Sequence, residues 1–199
     1  MKKTILIMLF TIFFPFITFA GPFGLTMGMN LQQITEACGG NRPERVENDD
    51  RYFILPEKKH STFTKYIAWI DNEHGLYRIR GISDSVTTDK YGREIQNMFY
   101  NFEERVEAIY GTPELTDKLL DKSTLYMGDD EWSYSLREGA RELSAVWSPK
   151  ISGKELKDNI SYVYLFVTPY IKIGYTFVLI IDYEFENTAK VEANEDSVL

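Results

Sequence analysis

The sequence predicts an α+β protein: an antiparallel sheet of about six to seven strands with one long and one short helix packed on it. Three observations carry that expectation. Short runs of alternating apolar and polar residues recur between positions 52 and 185, punctuated by Gly, Pro, Asn and Asp, the signature of strands joined by turns. One run, 91–110, instead repeats its apolar residues at steps of three and four, the period of an amphipathic helix. The chain is also rich in aromatics, with 13 Tyr, 13 Phe and 3 Trp, and a half-buried pleated surface favours such side chains.

Taken in order, residues 21–28 are Gly-rich and expected to be extended. Asn30 has the chemistry of a helix N-cap, and Gln33, three residues on, completes a capping box. Leu31, Ile34 and Cys38 would share one face of a short helix ended by Gly39-Gly40. A strand at 52–55 is stopped by Pro56, and 57–62 is a polar loop. Residues 64–71 alternate around Tyr66, Ala68 and Ile70. The turn Asp71-Asn72-Glu73-His74-Gly75 leads into a return strand, 76–82, with Tyr77 and Ile79 on its buried face.

Thr88 or Asp89 is the expected cap of the long helix. Its apolar stripe runs through Tyr91, Ile95, Met98, Phe99, Phe102, Val106, Ile109 and Tyr110, and Gly111 terminates it. Residues 115–130 are polar, with room for one short turn. Trp132, Tyr134 and Leu136 alternate and suggest a strand at 131–137. A second strand at 141–147 groups Leu143, Ala145 and Trp147. Pro149 breaks it, and a polar link follows to 159. The runs 160–168 and 174–185 are apolar on both faces and read as central strands. Residues 21–186 would form a single α+β domain, with possible halves 21–86 and 87–186, followed by a polar tail at 187–199.

The order helix, Gly, Pro-Glu, strands occurs twice, at Cys38-Gly39-Gly40-Asn41-Arg42-Pro43-Glu44 and at Tyr110-Gly111-Thr112-Pro113-Glu114. Two ordinary helix ends would also look like this, so a duplicated helix-plus-strands unit and a chance echo both fit. The opening Phe23-Gly24-Leu25-Thr26-Met27-Gly28-Met29-Asn30-Leu31-Gln32-Gln33-Ile34 resembles the Gly-Met-polar start of small exported bacterial modules, the beta-lactamase-inhibitor-protein-like and outer-membrane-assembly lipoprotein groups. That resemblance covers about the first twenty-five residues after position 20 and is echoed near Gly111 and Pro113. It implies an α+β module, often duplicated, that binds proteins and does no chemistry. The chain departs from both groups in having one Cys, hence neither a lipidation site after the apolar segment nor disulfides.

Residues 1–20 read as a secretory signal peptide. Lys2 and Lys3 precede an apolar run that contains Pro15 and ends in Thr18-Phe19-Ala20, which predicts cleavage between Ala20 and Gly21 and a periplasmic or secreted location. The run is shorter than the roughly 20 residues of a membrane-spanning helix, so cleavage is favoured over retention as an anchor. After cleavage no span would remain. The net charge is −8, and losing Lys2 and Lys3 makes it two units more negative. Such a surface argues against nucleic acid and against anionic lipid headgroups. The lone Cys38 cannot form an internal disulfide, and reads as a small, partly buried apolar residue.

Candidate chemistry is sparse. Neither His60 nor His74, each in a loop, stands in a nucleophile motif. Asp49-Asp50, Asp129-Asp130-Glu131 and Glu184 with Glu186 lack the spacing of a calcium loop, and no metal or cofactor is expected. Lys58-Lys59-His60 is a small basic spot that reads as a solvated edge. The aromatics Trp132, Tyr134, Trp147, Tyr162 and Tyr164 read as core. The loop between the two strongest strands is different: Tyr170, Ile171, Lys172 and Ile173 put apolar residues at a tip, where they make a candidate binding site. The expected function is a non-enzymatic module that binds a protein partner through this loop or through its sheet face. An envelope-acting hydrolase and a carrier of small ligands or lipids with an aromatic pocket are the alternatives.

Overall fold

Asn30 opens the first helix as its side-chain chemistry dictates. Its side chain accepts the Gln33 amide at 3.0 Å, and the Gln33 side chain accepts the Asn30 amide at 2.9 Å, a reciprocal cap on α1 (Leu31–Ala37). The structure is a computed structural model and describes residues 21–46, 49–120, 131–171 and 173–196. The expected signal peptide therefore lies outside the described residues. On α1, Ile34 and the following Cys38 are buried, whereas Leu31 faces solvent.

Nine strands are described: β1 (Glu44–Arg45), β2 (Arg51–Ile54), β3 (Phe63–Asp71), β4 (Gly75–Ser83), β5 (Val86–Thr87), β6 (Glu114–Leu119), β7 (Arg141–Trp147), β8 (Ile160–Pro169) and β9 (Thr176–Phe185). They build one antiparallel sheet in the order β1-β2-β3-β4-β9-β8-β7-β6, with β5 pairing β9 beside β4. Strands β1 to β4 thus fill one half of the sheet and β6 to β9 the other, and the halves meet where Gly81 pairs with Ile181. Strand β9 is central, with residues 177–183 all buried, so its apolar run is covered on both faces.

The count exceeds six to seven for physical reasons. Strands β1 and β5 are two-residue pairings too short to show a pattern. Edge strand β6 carries mostly exposed residues and so lacks alternation; it lies within the stretch expected to be irregular.

Helix α2 (Arg93–Tyr110) lays Ile95, Phe99, Phe102, Val106 and Tyr110 on one face of the sheet. Each such side chain contributes about 1.5–3 kcal/mol through burial. Two residues of its expected stripe do not belong to it. Tyr91 precedes the helix and Ile109 is exposed. Thr88 and Asp89 do not cap it, because Gly92 at φ 73 stands at the N-cap, and the Thr88 hydroxyl instead donates to the Glu94 carboxylate. Gly81 leaves room on the core face: a Cβ there would lie 3.0 Å from the Phe63 ring and 3.2 Å from that of Phe23.

Three further expectations are corrected. Residues expected as a strand at 131–137 form the helix α3 (Trp132–Arg137). Positions four apart share a side in both a strand and a helix, so six residues do not separate the two periods. The helix buries Trp132 and Leu136 together and also Ser133 and Ser135, whose hydroxyls donate to the carbonyls of Asp89 at 2.6 Å and Trp132 at 2.8 Å. The link after Pro149 contains a short helix, α4 (Pro149–Ser152). The polar tail holds the helix α5 (Thr188–Asp196), so five helices are described rather than two. Helix α5 is docked by Asn187, which donates to the carbonyls of His74 and Leu76, and by Thr188, which donates to that of Tyr77.

The turn at 71–75 forms as expected, with Asp71 accepting the amides of Glu73 at 3.0 Å and His74 at 2.7 Å. A register shift beside it, between Trp69 and Ile70, changes which neighbour enters the core. Ile79 and Leu76 pack there, while Tyr77 is buried outside the main cluster and donates to Asp50.

Candidate functional site

The β8–β9 hairpin is pinned up to its last pair. Pro169 stands opposite Phe177, and the Tyr170 amide donates to the Thr176 carbonyl at 2.9 Å. Beyond it the chain exposes Tyr170 by 54%, Ile171 by 48% and Ile173 by 82%. Lys172, the fourth residue expected at this site, lies outside the described residues. Single exposed apolar side chains are ordinary, but three within four positions at a hairpin tip make an exposed apolar patch. Two cations flank it. Lys65 Nζ stands 5.9 Å from the Tyr170 ring. The Arg137 guanidinium lies 4.9 Å from the Tyr134 ring and 5.6 Å from that of Tyr175.

The sheet face away from α2 carries a second constellation. Asp182, 1% exposed, accepts Arg80 through two hydrogen bonds of 2.6 Å and also pairs with Arg78. Both guanidinium groups lie against Trp69, at 4.8 and 5.4 Å from its ring. Phe166 stacks on Tyr164 at 4.5 Å on the same face. Register explains the grouping, since Arg80 pairs with Asp182, and Asp182 with Tyr164, across neighbouring strands. Of the aromatic stripe read as core, Trp132 and Trp147 are buried in the core cluster, while Tyr162 and Tyr164 belong to this opposite face and Tyr134 is half-buried. Sequence reasoning missed the arginine–aspartate centre. Its signal was one Asp inside an otherwise apolar central strand, because such a charge survives burial only when paired.

Among the described residues, neither the lone cysteine nor the histidine paired with an acid has the partners of a covalent catalyst. Cys38 is buried, and burial pushes its thiol up from its ordinary range, away from a reactive thiolate. The His74 ring contacts Asp71 at 2.9 Å, which is the orienting half of a triad. Among the described residues no hydroxyl or thiol hydrogen-bonds to that ring. No group of three His, Cys, Asp or Glu side chains suited to a metal ion occurs among the described residues. Asp49 pairs with Arg51, whose hydrogen bond holds its carboxyl down at about 2. Asp50 is pushed up by burial. Asp129 and Asp130 lie outside the described residues. None of the described helices is long and apolar enough to cross a membrane.

The Lys58-Lys59-His60 spot borders a cleft of about 350 Å³ between the start of the described chain and the C-terminal half of α2. Phe23, Phe102, Val106 and Ile109 give it an apolar lining, and Lys58, Lys59 and Arg105 stand around it. Gly21, the first residue past the expected cleavage point, is buried here. A Cβ at that position would lie 2.4 Å from the Leu25 carbonyl oxygen.

Comparison with protein-family models, with curated proteins and with solved structures returned no match to this chain.

Proposed function

We propose that this chain is an exported, non-enzymatic protein-binding module of the periplasm or exterior, and that the tip of the β8–β9 hairpin is its principal contact. The observation that carries this reading is the exposure of Ile173, Tyr170 and Ile171 beyond the last hairpin pair. An isoleucine 82% exposed gains free energy only when something covers it. The uncovered sheet face with Trp69, Tyr164 and Phe166 offers adjoining area for the same partner. We further read the chain as two fused copies of a helix-plus-strands unit, in keeping with the mirrored strand order and with the resemblance of its opening segment to exported binding modules. A partner fitting the tip would present an apolar pocket with an acidic edge facing Lys65.

The test is a crosslinking capture from the native envelope fraction, comparing the protein with its Ile173→Asp variant. Expected is a saturable protein partner that the variant loses at least tenfold, with both forms equally folded by circular dichroism. A partner retained undiminished by the variant removes the tip from the interface, and the absence of any saturable partner overturns the reading.

A further inference from the structure

We propose that the cleft between the Pro22–Gly24 turn and α2 binds a small anionic amphiphile, with Arg105 and His60 gripping its headgroup and Phe23, Phe102, Val106 and Ile109 enclosing its apolar body. The argument starts from a proton count. The Thr62 amide donates to His60 Nδ1 at 3.1 Å, so Nδ1 is the acceptor nitrogen. A neutral imidazole then carries its one proton on Nε2. Burial, and secondarily the Arg105 charge, lower the affinity of this ring for a second proton. Arg105 Nη1 stands 3.4 Å from Nε2, and a guanidinium has donors only. Two N–H groups therefore converge with no acceptor between them. A bridging anionic oxygen, or the two oxygens of one headgroup, would satisfy both.

The surroundings agree with that demand. Lys58 and Lys59 come from the same loop, and neither they nor Arg105 form a salt bridge among the described residues. Unpaired cations around one cleft are notable in a chain of net charge −8. The lining is held in place from behind. The His60 ring stands edge-on to Phe102 at 5.1 Å, and Phe23 stands edge-on to Tyr66 at 4.8 Å and Tyr183 at 5.8 Å. Phe23 itself adopts φ 58, a left-handed conformation that is strained for a non-glycine residue. Such strain gathers at ligand clamps. The volume falls at the small end of the range for ligand sites, roughly 300–1,000 Å³. An acyl chain or a single fused aromatic with one negative headgroup matches its size and lining. This proposal is independent of the hairpin tip: Phe177, at the base of the hairpin, stands six positions along β9 from Tyr183, about 20 Å by strand rise.

The experiment is calorimetric titration of the purified protein with decanoate, decyl phosphate and decanol. Arg105 and Ile109 are both exposed, so their replacement leaves the fold intact. Expected is saturable binding of at least one of the two anions, at least tenfold tighter than decanol. Arg105→Gln should remove that preference, and Ile109→Ser should weaken anion and alcohol alike. The preferred anion names the headgroup as carboxylate or phosphate. In nitrogen-detected NMR the His60 Nε2 resonance should move on anion binding. Equal affinity for decanol and both anions, an anion preference that survives Arg105→Gln, or no saturation up to about 1 mM would overturn the proposal.

Discussion

Gly92→Ala isolates one packing contact. Gly92 and Gly139 both adopt left-handed conformations, at φ 73 and φ 69. Alanine in that region costs about 1–2 kcal/mol, so each substitution carries the same backbone penalty. Their surroundings differ. A Cβ on Gly139 meets nothing within 4 Å, whereas one on Gly92 would lie 2.1 Å from Trp132 Cε3 and 2.4 Å from Cζ3. Trp132 cannot simply swing aside. It is buried, and its Nε1 donates to Asp117 at 3.3 Å. Forcing carbon into packed space costs about 1–3 kcal/mol. The expected losses are therefore about 2–5 kcal/mol for Gly92→Ala and about 1–2 kcal/mol for Gly139→Ala. Against a total stability of roughly 5–15 kcal/mol, that difference is easily measured. Urea denaturation reads it as a shift in midpoint at constant slope. In a Trp132→Leu background the excess cost of Gly92→Ala should disappear. Equal losses for the two glycine variants, or an excess that persists without the indole ring, would refute the claim that Gly92 is required by its contact with Trp132.

Two further outcomes follow from the polar and aromatic interior. Asp182→Ala leaves Arg80 without its carboxylate and Arg78 with Glu184 alone, at 3.5 Å, and should cost about 3–5 kcal/mol; replacing the arginines with Met and Asp182 with Leu together should restore most of it, and a single-variant loss below about 1 kcal/mol would show that solvent already serves those charges. At high pH, burial holds the Tyr110 and Tyr183 hydroxyls above their ordinary range, with Asp158 adding to the effect at Tyr110 and Tyr110 at Tyr183. The folded state therefore keeps those protons more tightly than the unfolded chain. Their stabilisation is complete below about pH 10 and is lost as pH rises beyond it. Phenolate absorbance and circular dichroism recorded together should show these two tyrosines ionising only as the fold melts, and ionisation of every tyrosine near pH 10 in the intact fold would contradict this.

Elements with both a start signal and a sustained period were legible from sequence. Asn30 and Gln33 announce α1, the stripe from Ile95 to Tyr110 announces α2, and the turn chemistry at Asp71 announces β3 and β4. What escaped had its pattern erased by context. Edge strand β6 buries too little to need alternation, and α5 is docked through side chains of Asn187 and Thr188 rather than an apolar face. Helix α3 spans too few residues for its period to differ from that of a strand. The site shows the same division. The apolar Tyr170, Ile171 and Ile173 stand out because turns are normally polar, and all three are exposed. The grouping of His60 with Arg105 and Phe23 depends on chain segments far apart in sequence, and no local pattern encodes it.

The seam between β4 and β9 also sets an order of events. Arg80 and Asp182 are 102 residues apart, while most other pairings in each half join strands adjacent in the chain. Loop closure over that distance must precede any benefit from the seam, and long-range pairing of this kind slows folding. The two four-stranded meanders are thus natural early units, and their joining is the natural late step. Substitutions at the seam should slow refolding in stopped-flow measurements if the seam is already formed in the transition state, and should speed unfolding alone if it closes afterwards.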